Sequence, residues 1–296
     1  MKKLKISKLS PTPLVIILAV FVLVCTSLRV LQLSTIVDAA TGFWITRNAT
    51  VWILYILCIV FFLISLIFSY FSGIMTTPNF KKESNIGFFV GSIIFALSLV
   101  YEAITSLINI LNHLTSSLSS SSASIYSALV STGGFALIIE TIFSFISIIF
   151  VIFVTLSAIR GNDSYKKHTV LALSPVLWAM GRLMYYFIEP VSFRNVSELF
   201  FRIILLCFAC IFFMSFARIT AGINEEISMK ALWFAGTNTS LYAFICGFGQ
   251  LFAIIGGHAS LSSAYALNFA DIGLALFTFT LLLTVTPLDN EVETND

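Results

Sequence analysis

Charge is what this chain has least of. Of its 296 residues 10% are charged, where an ordinary soluble domain carries about a quarter. No stretch between the apolar runs is long enough to bury a core of its own, which leaves no room for a soluble domain. Cysteine is missing from the loops. Cys25, Cys58, Cys207, Cys210 and Cys246 all fall inside apolar runs, which argues against a disulfide framework. The sequence has no H-E-x-x-H, no G-x-S-x-G and no Walker A pattern. Its lysine-rich segments form no stripe of the kind that tracks nucleic acid and suit lipid headgroups instead. Nucleic acid is therefore not an expected partner, and no motif calls for a cofactor or a metal.

What is present is apolar: 58% of residues are hydrophobic and the mean hydropathy is +1.01. Runs long enough to span a bilayer, roughly 20 residues, recur from end to end. They predict an all-α polytopic integral membrane protein, a single domain over 1–296 with about eight spans: 13–33, 51–75, 86–111, 133–159, two in the hairpin 174–206, 231–255 and 269–288. The lipid bilayer is its first expected partner. Of the 16 basic residues, eleven fall on one side of such a bundle, from Lys2 to Lys230. Arg47 and Arg194 fall on the other, and Arg29, Arg182 and Arg202 lie within spans. By the positive-inside rule both termini are cytoplasmic, in a cell membrane of bacterial plasma-membrane type. The basic, apolar N-terminus resembles a secretory signal, but its apolar run continues to Leu33, so an uncleaved first span is expected.

A four-plus-four parallel repeat, with halves 1–160 and 161–288 ahead of the acidic tail 289–296, is a candidate. Arg29 is echoed by Arg182, and Glu140 by Asp271. The Ser-rich stretch TSSLSSSSAS reads as a flexible loop, and span two reads as lipid-facing for much of its length.

The least ordinary stretch is the hairpin Ser174 to Leu206, which carries Arg182, Glu189, Arg194, Glu198 and Arg202. Glu102, Glu140 and Arg182 sit deepest among the charges. Left unpaired they would together cost around 9 kcal/mol on insertion scales, comparable with a whole protein's net stability. Helical spacing puts Ser98, Glu102, Thr105, Ser106 and Asn109 on one face, and Glu140, Ser144 and Ser147 on another. Pro175, Trp178, Arg182, Tyr185, Tyr186 and Glu189 form a third, and Asn268, Asp271 and Thr278 a fourth. Glu198 and Arg202 are i,i+4 partners. Such stripes must turn away from lipid.

These stripes predict an outward-facing polar cavity that binds or transports a small polar or charged solute, with proton coupling in prospect. Its expected ligand-binding residues are Arg182, Glu102, Glu140, Arg202, Asp271, Arg29, Tyr185, Tyr186 and Trp178, on spans one, three, four, five, six and eight. Arg182 and Arg202 are cast as anion anchors or counter-ions, and Glu102, Glu140 and Asp271 as acceptors or proton carriers. Glu189, Arg194 and Glu198 are cast as a solvated rim. The bland alternative is that the charges only staple the helices together.

Span seven, with Gly236, Thr237, Asn238, Thr239 and Ser240 and then Gly247, Gly249 and Gln250, suits either a broken helix or close packing. The C-x-x-C of Cys207 and Cys210 reads as buried apolar packing rather than a redox pair. His113 and His258 lack ligand spacing. The competing readings are a sensor or assembly subunit, acting with a membrane partner or as a homo-oligomer, and, third, an intramembrane enzyme, for which no motif speaks.

Overall fold

The computed structural model describes residues 12–37, 44–45, 49–71, 86–119, 133–162, 164–188, 196–257 and 267–285. The described residues form an all-α bundle with no β-strand; Val37 and Trp44 make an isolated bridge. Seven helices are long and apolar enough to cross a membrane. These are α1 (Thr12–Thr35), α2 (Ala49–Phe71), α3 (Ile86–Ser119), α4 (Gly134–Arg160), α5 (Ser174–Ile188, with the turn before it), α6 (Val196–Thr220) and a composite seventh. The seventh runs from α7 (Glu225–Ala243) through a π-helical turn at Phe244–Phe248 into α8 (Gly249–Ile255). The last helix, α9 (Phe269–Val285), has 17 residues, about 26 Å of rise.

Local chemistry sets the helix ends. Helix α4 stops at Gly161, whose left-handed φ of 59° lets the following Asn162 N–H return to the Ser157 carbonyl. Helix α5 has Pro175 in its first turn, where a missing N–H breaks no helical bond. The serine-rich stretch departs from expectation: its residues 115–119 continue α3, and Thr115 returns its hydroxyl to the Asn112 carbonyl. A preceding helix lends the first serines a ready-made turn, so composition alone misplaces the boundary.

Six helices close a ring in which each packs on the next: α3, α4, α5, α6, α7 and α9, with α9 returning to α3. Helices α1 and α2 lie outside it, against α7 and α8. Burial follows this plan, with 67% of the seventh helix's apolar window buried against 22% for α2. Within the ring, α6 and α7 pack closely on each other.

Inside the ring lies an aromatic layer. Phe95 stacks on Phe213 and Phe277, and Trp178 sets its edge against Phe95 and Phe213. These residues come from α3, α5, α6 and α9, so one layer ties four helices together, each ring pair adding about 1 kcal/mol beyond its burial. The small polar residues of α7 serve close packing. Thr237, Asn238, Thr239 and Ser240 are fully buried, and Asn238 donates to Ser65 of α2. Of the C-x-x-C pair, Cys207 is exposed on the outer surface of the bundle and Cys210 half-buried, both free thiols. Their expected deep burial is corrected: i and i+3 on α6 put both near the face turned away from the ring.

Candidate functional site

The charged side chains of the spans meet at one end of the bundle, joined in an unbroken chain. Arg29 of α1 pairs with Glu198 of α6 and also donates to Gln32, whose amide caps the Thr50 carbonyl of α2. Glu198 accepts from Gln250 of α8 at 2.7 Å and lies 3.6 Å from Arg202 one turn along its own helix. Arg202 donates to Gln250 at 3.2 Å and stands 3.7 Å from Asp271 of α9. Asp271 pairs at 2.9 Å with Arg182 of α5, which reaches Glu102 of α3 at 3.2 Å. Glu102 accepts from the Trp178 indole at 3.1 Å, anchoring the chain on the aromatic layer. Its carboxyl also meets that of Glu140 of α4, which takes a long hydrogen bond from Ser106 at 3.5 Å.

Every carboxylate and arginine in this chain is buried or nearly so. Bare charges at this depth would each cost several kcal/mol, and opposite signs alternate along the chain to offset that cost. Two arginines are also held by rings: Arg29 by Trp44 and Phe201, Arg182 by Trp178 and Tyr186.

Close backbone approach makes the meeting geometrically available. A Cβ on Gly181 would lie 2.9 Å from the Glu140 backbone nitrogen, so only glycine lets α5 ride on α4 beside the site. On the composite helix, a Cβ on Gly247 would lie 2.9 Å from the Ile272 nitrogen. The π-helical turn at Phe244–Phe248 therefore brings α9 close while Gln250 still faces Glu198. Such turns re-aim side chains by one residue.

Beside the chain lies a cavity of about 310 Å³. Its wall includes Tyr101, Glu102, Ser106 and Asn109 of α3, Glu140 of α4, and Arg182, Tyr185 and Tyr186 of α5. Thr105, Arg202 and Asn268 complete the polar lining. The aromatic layer lies one to two turns further along the same helices from Glu102, Arg182 and Asp271, on the side away from the cavity-lining residues. The basic residues Arg160, Lys166, Lys167, Arg218 and Lys230 sit toward the opposite end of the bundle, as the helix rise from Glu140 to Arg160 and from Arg202 to Arg218 requires.

Of the nine residues singled out in the sequence, Glu102, Glu140, Arg182, Arg202, Tyr185 and Tyr186 line this cavity. Trp178 is outside the wall and donates its indole N–H to Glu102. Asp271 is sealed between Arg182 and Arg202, and Arg29 belongs to the dry far end of the chain. Span one is thus not among the walls: Arg29 reaches inward only as far as Glu198.

The expected rim position of Glu198 is corrected. It is 4% exposed and holds Arg29, Arg202 and Gln250 together. Glu189, Arg194, Asp38 and His258 lie outside the described residues, as does the side chain of His113. Two participants escaped the sequence reading. Gln32 carried no signal beyond being polar one turn after Arg29, and Gln250 was taken only as a sign of a loosened helix.

Apolar spans, a closed helical ring and a buried charge network define a multi-pass helical membrane protein. No family model, curated protein or solved structure matches the chain.

Proposed function

We propose that the chain binds a small polar solute in this cavity and carries it across the membrane, with a proton as coupling ion. The observation that supports the reading is the convergence of Glu102, Glu140, Arg182 and Arg202 on one cavity of about 310 Å³. That volume lies at the lower end for small-molecule sites, and ionisable groups inside a membrane are rare unless they serve a pathway. The basic residues toward the opposite end support reading the cavity's end as the outer one, in a cell membrane. The aromatic layer of Phe95, Trp178, Phe213 and Phe277 fills the ring further inward, which supports reading this state as outward-facing. On this reading Glu102 and Glu140 are the protonatable pair, Arg182 and Arg202 their counter-ions, and Tyr185 and Tyr186 pack the solute.

Proteoliposomes test it. Vesicles holding the protein are offered a mixture of small polar metabolites, with and without a proton gradient, and the contents are analysed by mass spectrometry. Gradient-dependent accumulation of one class, lost in Glu140→Gln and Arg182→Gln, is the expected result. Contents identical to those of protein-free vesicles under every gradient would sink the transport reading and leave the assembly-subunit reading, which the dry Arg29–Glu198 arm favours. A stoichiometric membrane partner would then copurify.

A further inference from the structure

We propose that the cavity takes a ligand with a single positive charge, a protonated amine seated on Glu140, and that in the empty site a proton occupies the same carboxyl. This rests on the binding reading above and names its ligand class.

Charge balance is the first ground. Three arginines, Arg29, Arg182 and Arg202, face four carboxylates, Glu102, Glu140, Glu198 and Asp271. Each arginine touches one or two carboxylates: Arg29 touches Glu198, Arg202 touches Glu198 and Asp271, and Arg182 touches Asp271 and Glu102. Glu140 is left over. Among the described residues no lysine or arginine lies within salt-bridge distance of it, and its polar neighbours are Ser106 and the Glu102 carboxyl. It is 4% exposed, so bulk water does little to offset a bare charge there. Two carboxyls in contact hold together only with a proton or a cation between or beside them.

The second ground is independent. Nη1 of Arg182 is buried without any hydrogen-bond partner, although the arginine forms part of the cavity wall. It supplies a donor for a neutral oxygen, a hydroxyl or carbonyl, near the ammonium site. Tyr101 and Tyr185 add ring faces to the wall, and ring faces attract cations. An anion would find both arginines already matched by carboxylates, so their expected role as anion anchors gives way to one as counter-ions for Glu102, Asp271 and Glu198.

The groups facing Glu140 come from two neighbours: Glu102 and Ser106 from α3, and Arg182 and Tyr185 from α5. The turns that also touch α4 carry Lys166, Lys167 and His168 at its opposite end. Among the described residues Arg182 is the one cation near enough to act on Glu140, and it is shared with two other carboxylates. The exchange is therefore one for one. An ammonium ion takes the Glu140 carboxylate, the proton held there leaves to water, and the net charge of the site does not change.

The test uses the full chain in lipid nanodiscs and six probes in three charge classes. Ethanolamine and tyramine are cations, ethylene glycol and 4-hydroxyphenethyl alcohol are neutral, and glycolate and 4-hydroxyphenylacetate are anions. Calorimetry in two buffers of different ionisation heat reads both affinity and proton release. The expected result is millimolar or tighter binding of at least one amine, with about one proton released. Its affinity should fall about tenfold per pH unit on acidification, over the range in which the empty site holds the proton. Glu140→Gln, an isosteric neutral replacement that mimics the protonated state, should lose binding and proton release, while Glu140→Asp retains the release. Neutral or anionic probes binding as well as the amines would overturn the cation assignment yet keep the cavity reading. Amine binding without proton release would overturn the shared carboxyl, and no binding by any of the six would overturn both.

Discussion

At one end of the buried network, Arg29, Glu198, Gln32 and Gln250 satisfy one another, with Arg29 and Glu198 almost wholly excluded from solvent and outside the wall of the 310 Å³ cavity. At the other end, Glu102, Glu140 and Arg182 face a cavity, with one carboxylate in excess and one guanidinium nitrogen unused. Both ends are built from the same two residue types at similar depth. They differ in whether each group's capacity is used up by its neighbours. A closed arm of this kind ties α1, α6 and α8 together and has nothing to offer a ligand. An arm with unspent charge and an unspent donor is stable only with something else in the cavity, whether water, a proton or a solute. The stapling reading thus fits one half of the network, and the proposed binding reading the other.

The comparison predicts that damage to the closed arm costs mainly stability. Glu198→Ala leaves Arg29 buried without its carboxylate and weakens the hold on Arg202, an expected loss of about 3–5 kcal/mol. Unfolding by denaturant in mild detergent measures it. Replacing both partners, as Arg29→Met with Glu198→Leu, should recover most of that loss, because a well-packed apolar pair matches a buried ion pair. If the double variant were as unstable as Glu198→Ala, the arm would be doing something other than joining helices.

Why Glu198 was misread in the sequence is instructive. Two residues after the start of a helix that follows a polar turn, a glutamate ordinarily faces water, and its partner Arg29 is 169 residues away. The i,i+4 link to Arg202 was legible because it is local; the link to Arg29 depends on α1 docking outside the ring. The helices themselves were plain, since an apolar run of span length has few alternatives in a chain with this little charge. Their neighbour order was not, because stripes on α3, α4, α5 and α9 say which faces turn inward and nothing of which helices meet. The convergence of Glu102, Glu140 and Arg182 was anticipated as a group from depth and cost alone. Gln250 was beyond reach, because its aim depends on the π-helical turn at Phe244–Phe248, which no residue pattern announces.

The second way to probe the difference is to move the two arms apart rather than remove a charge. Gly181→Ala places a methyl group against the Glu140 backbone, where nothing flexible can give way. Overpacking of this kind costs about 1–3 kcal/mol. The expected signature is a loss of solute binding out of proportion to that destabilisation, since the shift is centred on the open arm. A variant with normal binding would mean that the spacing of α4 and α5 is not what sets the cavity.

Glu102→Gln should be milder, at about 1 kcal/mol. Glutamine keeps an acceptor for the Trp178 indole, and Glu140 can give up its proton to serve as the second carboxylate near Arg182. Pairwise cycles with Glu140→Gln should be strongly non-additive, because the double variant leaves Asp271 alone to match Arg182. Additive losses in stability would indicate that the two carboxyls act independently despite their contact.

The smallest change in stability falls at the residue with the largest expected effect on binding. Glu140→Gln removes a buried carboxylate that no arginine claims among the described residues, and substitutes a group of the same shape. With the empty site holding a proton there, the exchange of one neutral group for another should move stability by no more than about 0.5 kcal/mol, and Ser106 still finds an oxygen acceptor. Glu198→Gln, a chemically identical substitution in the closed arm, exposes Arg29 to a neutral partner and should cost several times more. Measured side by side in the same detergent, the two variants separate a carboxylate that holds the fold from one held in reserve for a ligand. Equal losses would erase the distinction between the arms.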